Sequence, residues 1–422
     1  MLVIRPFKGI VYNRDKVGEL SKVVAPPYDV ISPEKKELYY SLHPYNIVRV
    51  ILGKDIPGDT AENNKYTRAA RYFREWLTQG ILKREDTSSI YVYSQEYLIQ
   101  KRKIRRKGFV ALMKLEEFDS GVIFPHEKIF RKPQEDRLKL LQSCRANFSP
   151  IFSLFSDPHC QIDRLLDIGE PLFKFEDLEG VRHELFAIRD KESINLICSL
   201  MRDKKLLIAD GHHRYLTALK FREKFKMDPS APPGIDYTMM YFLNTESGSV
   251  TILPVHRLIK GLSPDKLLKL ETRLNELFLK KILKDYSAPL WEVVDKILYE
   301  RGEKEPTFCM YTEKGKCFIL IPKSEYSFKE TVRSAILDEI LKYIFDQRSL
   351  KDGKYINFIP STQEAIKRVE KGEFQLAFLL PPTTVHEIKK IAFSGKCMPP
   401  KSTYFYPKLF SGLVMRDLQD AI

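Results

Sequence analysis

The stretch Ala209-Asp210-Gly211-His212-His213-Arg214 sets a carboxylate, a glycine, two imidazoles and a guanidinium between the apolar run Leu206-Leu207-Ile208 and Leu216. The apolar run reads as a strand over 205–210. Residues 212–226 carry Ala218, Phe221 and Phe225 at helical spacing, so the polar group forms a strand-to-helix turn. A helix start exposes amide N–H groups that have no acceptor within the helix, and the peptide dipoles add partial positive charge there. Phosphates and other anions settle at such places. Gly211, His212, His213 and Arg214 are therefore candidate phosphate ligands, with Arg214 able to offer two parallel hydrogen bonds. Asp210 is a candidate for holding magnesium or a substrate hydroxyl, and His213, preferred to His212, offers a group that titrates near neutrality.

Other positions carry related chemistry. Tyr28 and Asp29 lie on the rigid segment Ala25-Pro26-Pro27-Tyr28-Asp29-Val30-Ile31-Ser32-Pro33. Asp29 is a candidate general base, as is Glu127 beside His126. The run His126-Glu127-Lys128-Ile129-Phe130 lacks the second histidine of H-E-x-x-H, so it is not a zinc-protease motif. Pro133 is expected to open a helix with Glu135 and Asp136 in its first turn and Arg137 just after, a second candidate phosphate ligand. Lys401-Ser402-Thr403 offers an ammonium and two hydroxyls beside prolines, suited to a phosphate or carboxylate. No G-x-x-x-x-G-K-[ST], G-x-G-x-x-G or G-x-S-x-G motif occurs, so a nucleotide needs some other cradle.

The elements that must position these residues alternate between helix and strand. Ser32 and Pro33 are an N-cap and first helical residue, predicting a helix over 34–41. Ala69, Ala70, Phe73, Trp76 and Leu77 predict another over 66–79. Strands are expected at 90–99, 108–115, 237–244 and 250–255, and further ones at 307–312 and 316–321. The basic run 101–107 is expected to be a solvated hairpin tip. The predicted class is α/β with mixed α+β character: a mixed-sheet core over 1–261, then a helix-rich C-terminal α+β region over 262–422 whose Met398–Thr403 loop is available to the site.

The chain has 422 residues, 43% of them hydrophobic and 30% charged, enough to bury a sizeable core. Six cysteines without a C-x-x-C pair argue against a zinc ribbon or a thioredoxin-type site. The net charge of +14 suits phosphorylated partners or nucleic acid, but six of those charges lie in the 101–107 run. No secretory signal and no apolar run long enough for a membrane span is visible, so a cytoplasmic location is the expectation.

The Asp210-Gly-His-His-Arg214 turn resembles the signature of a broad prokaryotic family of unknown function, domain of unknown function ten-fifteen, also called SerK-like. Val24–Ser32, His126-Glu127, Glu135–Arg137, Met398–Thr403, Pro407-Lys408-Leu409 and Ser411-Gly412-Leu413 follow in that family's order. The family is similar in turn to the ParB/sulfiredoxin superfamily, and the resemblance implies a core of that type with a nucleotide-phosphate site at Gly211–Arg214. The segment Asn357-Phe358-Ile359-Pro360-Ser361 departs from the glycine-rich pattern expected there, and no cysteine stands between Gly211 and Arg214 for sulfiredoxin chemistry.

Three functions are compatible with these residues. The first is phosphoryl transfer, using Mg2+ with ATP or ADP, to a small hydroxyl metabolite such as free serine. Here Arg214 and the turn hold phosphates, Glu127 or Asp29 takes the hydroxyl proton, and Lys401 steadies the transferred group. The second is a nucleotide-gated DNA- or RNA-binding protein. The third is a metal-assisted hydrolase using His126, Glu127, Asp210 and His213.

Overall fold

The computed structural model describes residues 1–99, 102–127, 131–284, 286–302, 307–326, 333–345 and 355–421. The chain divides into two compact units: Met1–Pro125 with Ile129–Val250 and Pro407–Ile422, and His126–Lys128 with Thr251–Tyr406. The division precedes the boundary expected near Gly261, and the last segment of chain belongs with the first unit. The reason is long-range pairing: His256–Ile259 bonds to Ile356–Ile359 and Leu376–Leu379, and Thr251–Leu253 to Tyr404–Tyr406. Local composition carries no sign of such partners.

The first unit is built on a mixed nine-stranded sheet. From one edge its strands run Ile123–Phe124, Leu206–Asp210, Ile151–Phe155, Tyr237–Asn244, Arg102–Lys114, Ile90–Ile99, Arg182–Ile188 and Phe173–Glu176, with Ile4–Arg5 added beside Arg102–Lys114. Leu206–Asp210 runs parallel to Ile123–Phe124, and Tyr237–Asn244 parallel to Ile151–Phe155; the other pairings are antiparallel. The mixed α/β class is as the sequence predicts.

Strand alternation assigns two faces. Ile90, Val92, Phe109, Ala111, Met240 and Phe242 face one core with Tyr215, Ala218 and Leu219 of the helix His212–Phe225. Tyr91 and Tyr93 face the other way, where Tyr91 meets Phe7 and the Tyr93 hydroxyl meets the buried His183, itself packed on Phe410. The C-terminal segment thus lies on the face opposite that helix.

The basic run is not a hairpin tip. Lys101 lies outside the described residues, but Arg102–Lys107 continue the ladder with Ser94–Ile99. The outward side chains meet acids, Lys103 with Glu96 at 2.7 Å and Arg105 with Glu184 at 2.9 Å. The inward Arg106 is fully buried, donates to Gln95 Oε1 and the Pro407 carbonyl, and lies 4.9 Å over the Phe152 ring. Charge density in the sequence masks this period-two pattern, because inward and outward positions carry the same residue type.

The second unit holds a six-stranded antiparallel sheet, so it is less helix-dominated than expected. Both faces are covered: Phe308, Met310, Leu376 and Phe378 enter one core, while Cys309, Tyr311, Ala377 and Leu379 enter another. Such two-sided burial turns alternating strands into continuous apolar runs. Among the described residues no helix is long and apolar enough to cross a membrane, and all six cysteines are free.

Arg106→Met is expected to cost about 2–4 kcal/mol in urea denaturation, because the Pro407 carbonyl and Gln95 lose a buried donor. Arg105→Met, at a half-exposed ion pair, should stay within about 1 kcal/mol of the parent. Equal effects from the two would contradict the placement of the run within the sheet.

Candidate active site

The strand Leu206–Asp210 is buried through Ala209 and leads directly into the helix His212–Phe225. Gly211 makes the turn at φ 93°, a conformation that side chains with a Cβ rarely adopt. It occupies the N-cap without a side-chain cap, and the Tyr215 N–H bonds its carbonyl at 3.0 Å. The ladder register slips between Ile208 and Asp210. Ile208 faces the core under the helix; the slip breaks the alternation that would send Asp210 there too.

Asp210 does not cap the helix. Its Oδ2 accepts from Arg214 Nη2 at 3.1 Å and its Oδ1 accepts from Lys408 Nζ at 3.0 Å. Burial opposes ionisation of this carboxyl, but Lys408 first and Arg214 second outweigh it, with His212 adding to them, and hold it well below the usual carboxylate range. Each oxygen is engaged by a cation, which does not suit a divalent metal ligand. Asp210, expected as a holder of magnesium, here joins Arg214 and Lys408. Among the described residues no three His, Cys, Asp or Glu side chains gather as a metal site, and His126 and Glu127 belong to the second unit while Asp210 and His213 belong to the first.

The Arg214 guanidinium folds back along its own turn. Its Nη1 donates to the Pro150 carbonyl, and a Cβ placed on Gly211 would lie 2.8 Å from its Nη2. Glycine is favoured here by its backbone angle. From that position Arg214 lines a small, partly open cleft of about 70 Å³, together with Tyr28, Arg137, Asn147, Thr217 and Thr238. The helix lines it with Arg214, Thr217 and Ala218, and not with Gly211, His212 or His213. The cleft thus meets the guanidinium rather than the amide-rich end of the helix. His212 is buried and His213 half-buried.

Arg137 belongs to the helix Arg131–Cys144, which starts two residues before the expected Pro133. It is 8% exposed, donates to the Ile51 carbonyl at 2.8 Å and to Asp136 Oδ2 at 2.8 Å, and lies 3.9 Å over the Tyr28 ring. Burial disfavours the Asp136 anion, but Arg137 outweighs it and the carboxyl stays below its ordinary range; its Oδ1 also accepts from the Tyr66 hydroxyl at 2.8 Å. Burial, then the Asp29 charge, pushes the Tyr28 phenol up to about 12 against the pull of Arg137 and Arg214, so it stays a neutral donor. Tyr28 and Asp29 sit on the one-turn helix Tyr28–Val30, before the Ser32-capped helix Pro33–Leu42; Asp29 is exposed.

Glu127, Lys401, Ser402 and Thr403 form a separate cluster in the second unit. Glu127 Oε1 accepts from the Ser402 N–H at 3.0 Å, the buried Ser402 hydroxyl donates to the Pro399 carbonyl at 2.6 Å, and Thr403 Oγ1 meets His126 Nε2 at 2.9 Å. Lys401 is exposed at φ 61°. The hydroxyls expected to hold a phosphate are thereby committed to protein partners, and the Glu127 carboxylate serves the loop.

Sequence reasoning missed Lys408 as a partner of Asp210, and Asn147 and Thr238 altogether. Lys408 was visible only as part of Pro407-Lys408-Leu409; pairing across 198 residues leaves no local signal. Nothing in the types or spacing of Asn147 and Thr238 marks them.

Asp210→Asn should destabilise the protein by about 3 kcal/mol at pH 7, since it strips two partly buried cations of their shared anion. Because the folded carboxyl titrates below its unfolded value, the advantage of the parent is full above about pH 4 and shrinks as pH falls further. Urea melts at pH 7 and pH 3 test this; a pH-independent difference would contradict it.

A search among curated proteins found no match. Among solved structures, the chain is similar to a free serine kinase in complex with AMP, at 17% identity and a TM-score of 0.37, covering 70% of this chain and 86% of that one. It is also similar to a conserved hypothetical protein from Pyrococcus furiosus, at 15% identity and a TM-score of 0.39, over 74% and 97%. A third is C-terminally truncated SbnI from Staphylococcus aureus, at 10% identity and a TM-score of 0.35, over 71% and 84%. The profile described as protein of unknown function (DUF1015) matches residues 4–340, well over half of the sequence. The chain belongs to the DUF1015 family.

Proposed function

We propose that the cleft beside Arg214 binds the phosphates of a nucleotide and that the protein transfers a phosphoryl group from it to a small hydroxyl compound, free serine being the acceptor to test first. One observation carries the reading: two guanidiniums from distant parts of the chain, Arg137 and Arg214, converge on a single cleft and are fixed there before any ligand arrives. Fixed cations beside apolar walls stabilise phosphate charge more than mobile surface lysines do.

In the transfer, the bond from the terminal phosphorus to the nucleotide's bridging oxygen breaks and its electron pair leaves with the shortened nucleotide. A bond from phosphorus to the acceptor oxygen forms, and the hydroxyl proton passes to a base. Asp29 is assigned as that base, since it is exposed next to Tyr28, which lines the cleft. Arg137 and Arg214 hold the charge on the phosphoryl oxygens, and the neutral Tyr28 hydroxyl adds a donor. No step is assigned to magnesium through Asp210. The alternative of nucleic-acid binding gains no support from the basic run, whose outward charges are paired with Glu96 and Glu184.

ATP or ADP at saturating concentration should raise the melting temperature by roughly 5 °C, and Arg214→Ala should abolish the shift while keeping the parent's circular dichroism. Phosphoserine should form from serine with one of these donors and fall at least about a hundredfold in Asp29→Asn. A parent protein whose melting ignores every nucleotide would overturn the reading.

A further inference from the structure

We propose that the second unit carries a binding site for a free α-amino acid, with Arg257 taking the carboxylate and Asp338 the ammonium. The site lies wholly within that unit and does not rest on the reading of the cleft beside Arg214.

Arg257 stands on the strand His256–Ile259, opposite Phe358 on one neighbour and Phe378 on the other. Strand alternation puts it on the face of Ile259, where the helix Arg333–Ile344 packs, while Leu258 enters the other core. The Arg257 side chain is 1% exposed, with its guanidinium 4.9 Å over the Phe358 ring. Its Nη1 donates to the Val255 carbonyl, but among the described residues the buried Nε and Nη2 have no hydrogen-bond partner. Asp338 of that helix comes to 3.7 Å from Nη2, close enough for an ion pair and too far for a hydrogen bond.

A buried guanidinium needs hydrogen bonds as well as a countercharge. Arg137 and Arg214 have both, each with a carboxylate and a carbonyl as acceptors. Arg257 does not. Burial pushes its guanidinium down against the pull of Asp338 and then Glu127, and pushes the Asp338 carboxyl up against Arg257 and then Lys342. Each charge is thus undercompensated by the other, the reverse of Asp210 and Asp136, whose cations keep them low.

The shape of the unmet demand selects the guest. Nε–H and an Nη2–H project side by side from a guanidinium, spaced for the two oxygens of one carboxylate. A phosphate fits the same fork, but Asp338 and Glu127 both act on this guanidinium, and two carboxylates repel a dianion. A zwitterion brings a cation along with its carboxylate and so supplies both missing partners. Its charges are one carbon apart, which suits an acid and a guanidinium separated by 3.7 Å. Asp338 is the assigned acceptor for the ammonium, because Glu127 Oε1 is already engaged by the Ser402 N–H. The Asp338 side chain is 26% exposed and Phe358 37%, so the rim beside the buried guanidinium opens to solvent. Phe358 belongs to the segment Asn357–Ser361 that departs from the glycine-rich pattern expected there.

Calorimetric titration of L-alanine, acetate and methylammonium into the full-length parent, Asp338→Asn, Arg257→Lys and Arg214→Ala tests the proposal. L-alanine has no side-chain hydroxyl and cannot accept a phosphoryl group. It should bind the parent at least about tenfold more tightly than acetate or methylammonium. Asp338→Asn, at a partly exposed position, should weaken L-alanine roughly tenfold without weakening acetate. Arg257→Lys keeps the charge but loses the paired donors and should weaken both, its circular dichroism separating lost recognition from lost fold. Arg214→Ala should leave L-alanine binding unchanged. Absence of L-alanine binding to the parent at tens of millimolar, indifference to Asp338→Asn, loss in Arg214→Ala, or competition by inorganic phosphate in Arg214→Ala would each overturn the amino-acid site and leave the reading of the cleft untouched.

Discussion

Asp210 stands between two cations, Lys408 on one oxygen and Arg214 on the other, and the geometry of the candidate site depends on that shared anion. Arg214 is a long, flexible side chain, and left to itself it would sample many rotamers. Anchored to Asp210 and the Pro150 carbonyl, and pressed against the backbone of Gly211, it keeps its charge at the wall of the cleft. Asp210 in turn stays ionised because Lys408 arrives with the C-terminal segment. Arg106 helps to seat that segment by donating to the Pro407 carbonyl, and Gln95 donates to the Lys408 carbonyl at 3.0 Å. The interior of the sheet thereby supports the site through a chain of buried polar contacts.

The second cation is held by a different device. Arg137 is fixed by Asp136, the Ile51 carbonyl and the face of Tyr28. Each guanidinium has one carboxylate and one backbone carbonyl as partners. Buried charges demand such pairing. Both guanidiniums are therefore held in place by protein partners at the wall of the cleft.

Much of this was legible where the signal is local. Ser32-Pro33 specifies its helix, and Leu206–Ala209 followed by Gly211 specifies the turn, because capping chemistry and hydrophobic period act over a few residues. Arg214 and Arg137 were reachable by residue type and placement on helices. Lys408, Thr238 and Asn147 were not, since their places beside the cleft or Asp210 arise from strands and segments brought together by pairing across the sheet. The basic run misled for a related reason: outward and inward positions share one charge, so only the ladder reveals that Arg106 is core. Ser402 and Thr403 looked like ligands for an anion, but their hydroxyls turn to Pro399 and His126 once the loop is folded.

The most direct test is a crystal structure grown with ADP. The phosphate oxygens should lie within hydrogen-bonding distance of both Arg137 and Arg214, with Lys408 still on Asp210. Nucleotide phosphates bound away from both guanidiniums, at whatever occupancy, would contradict it.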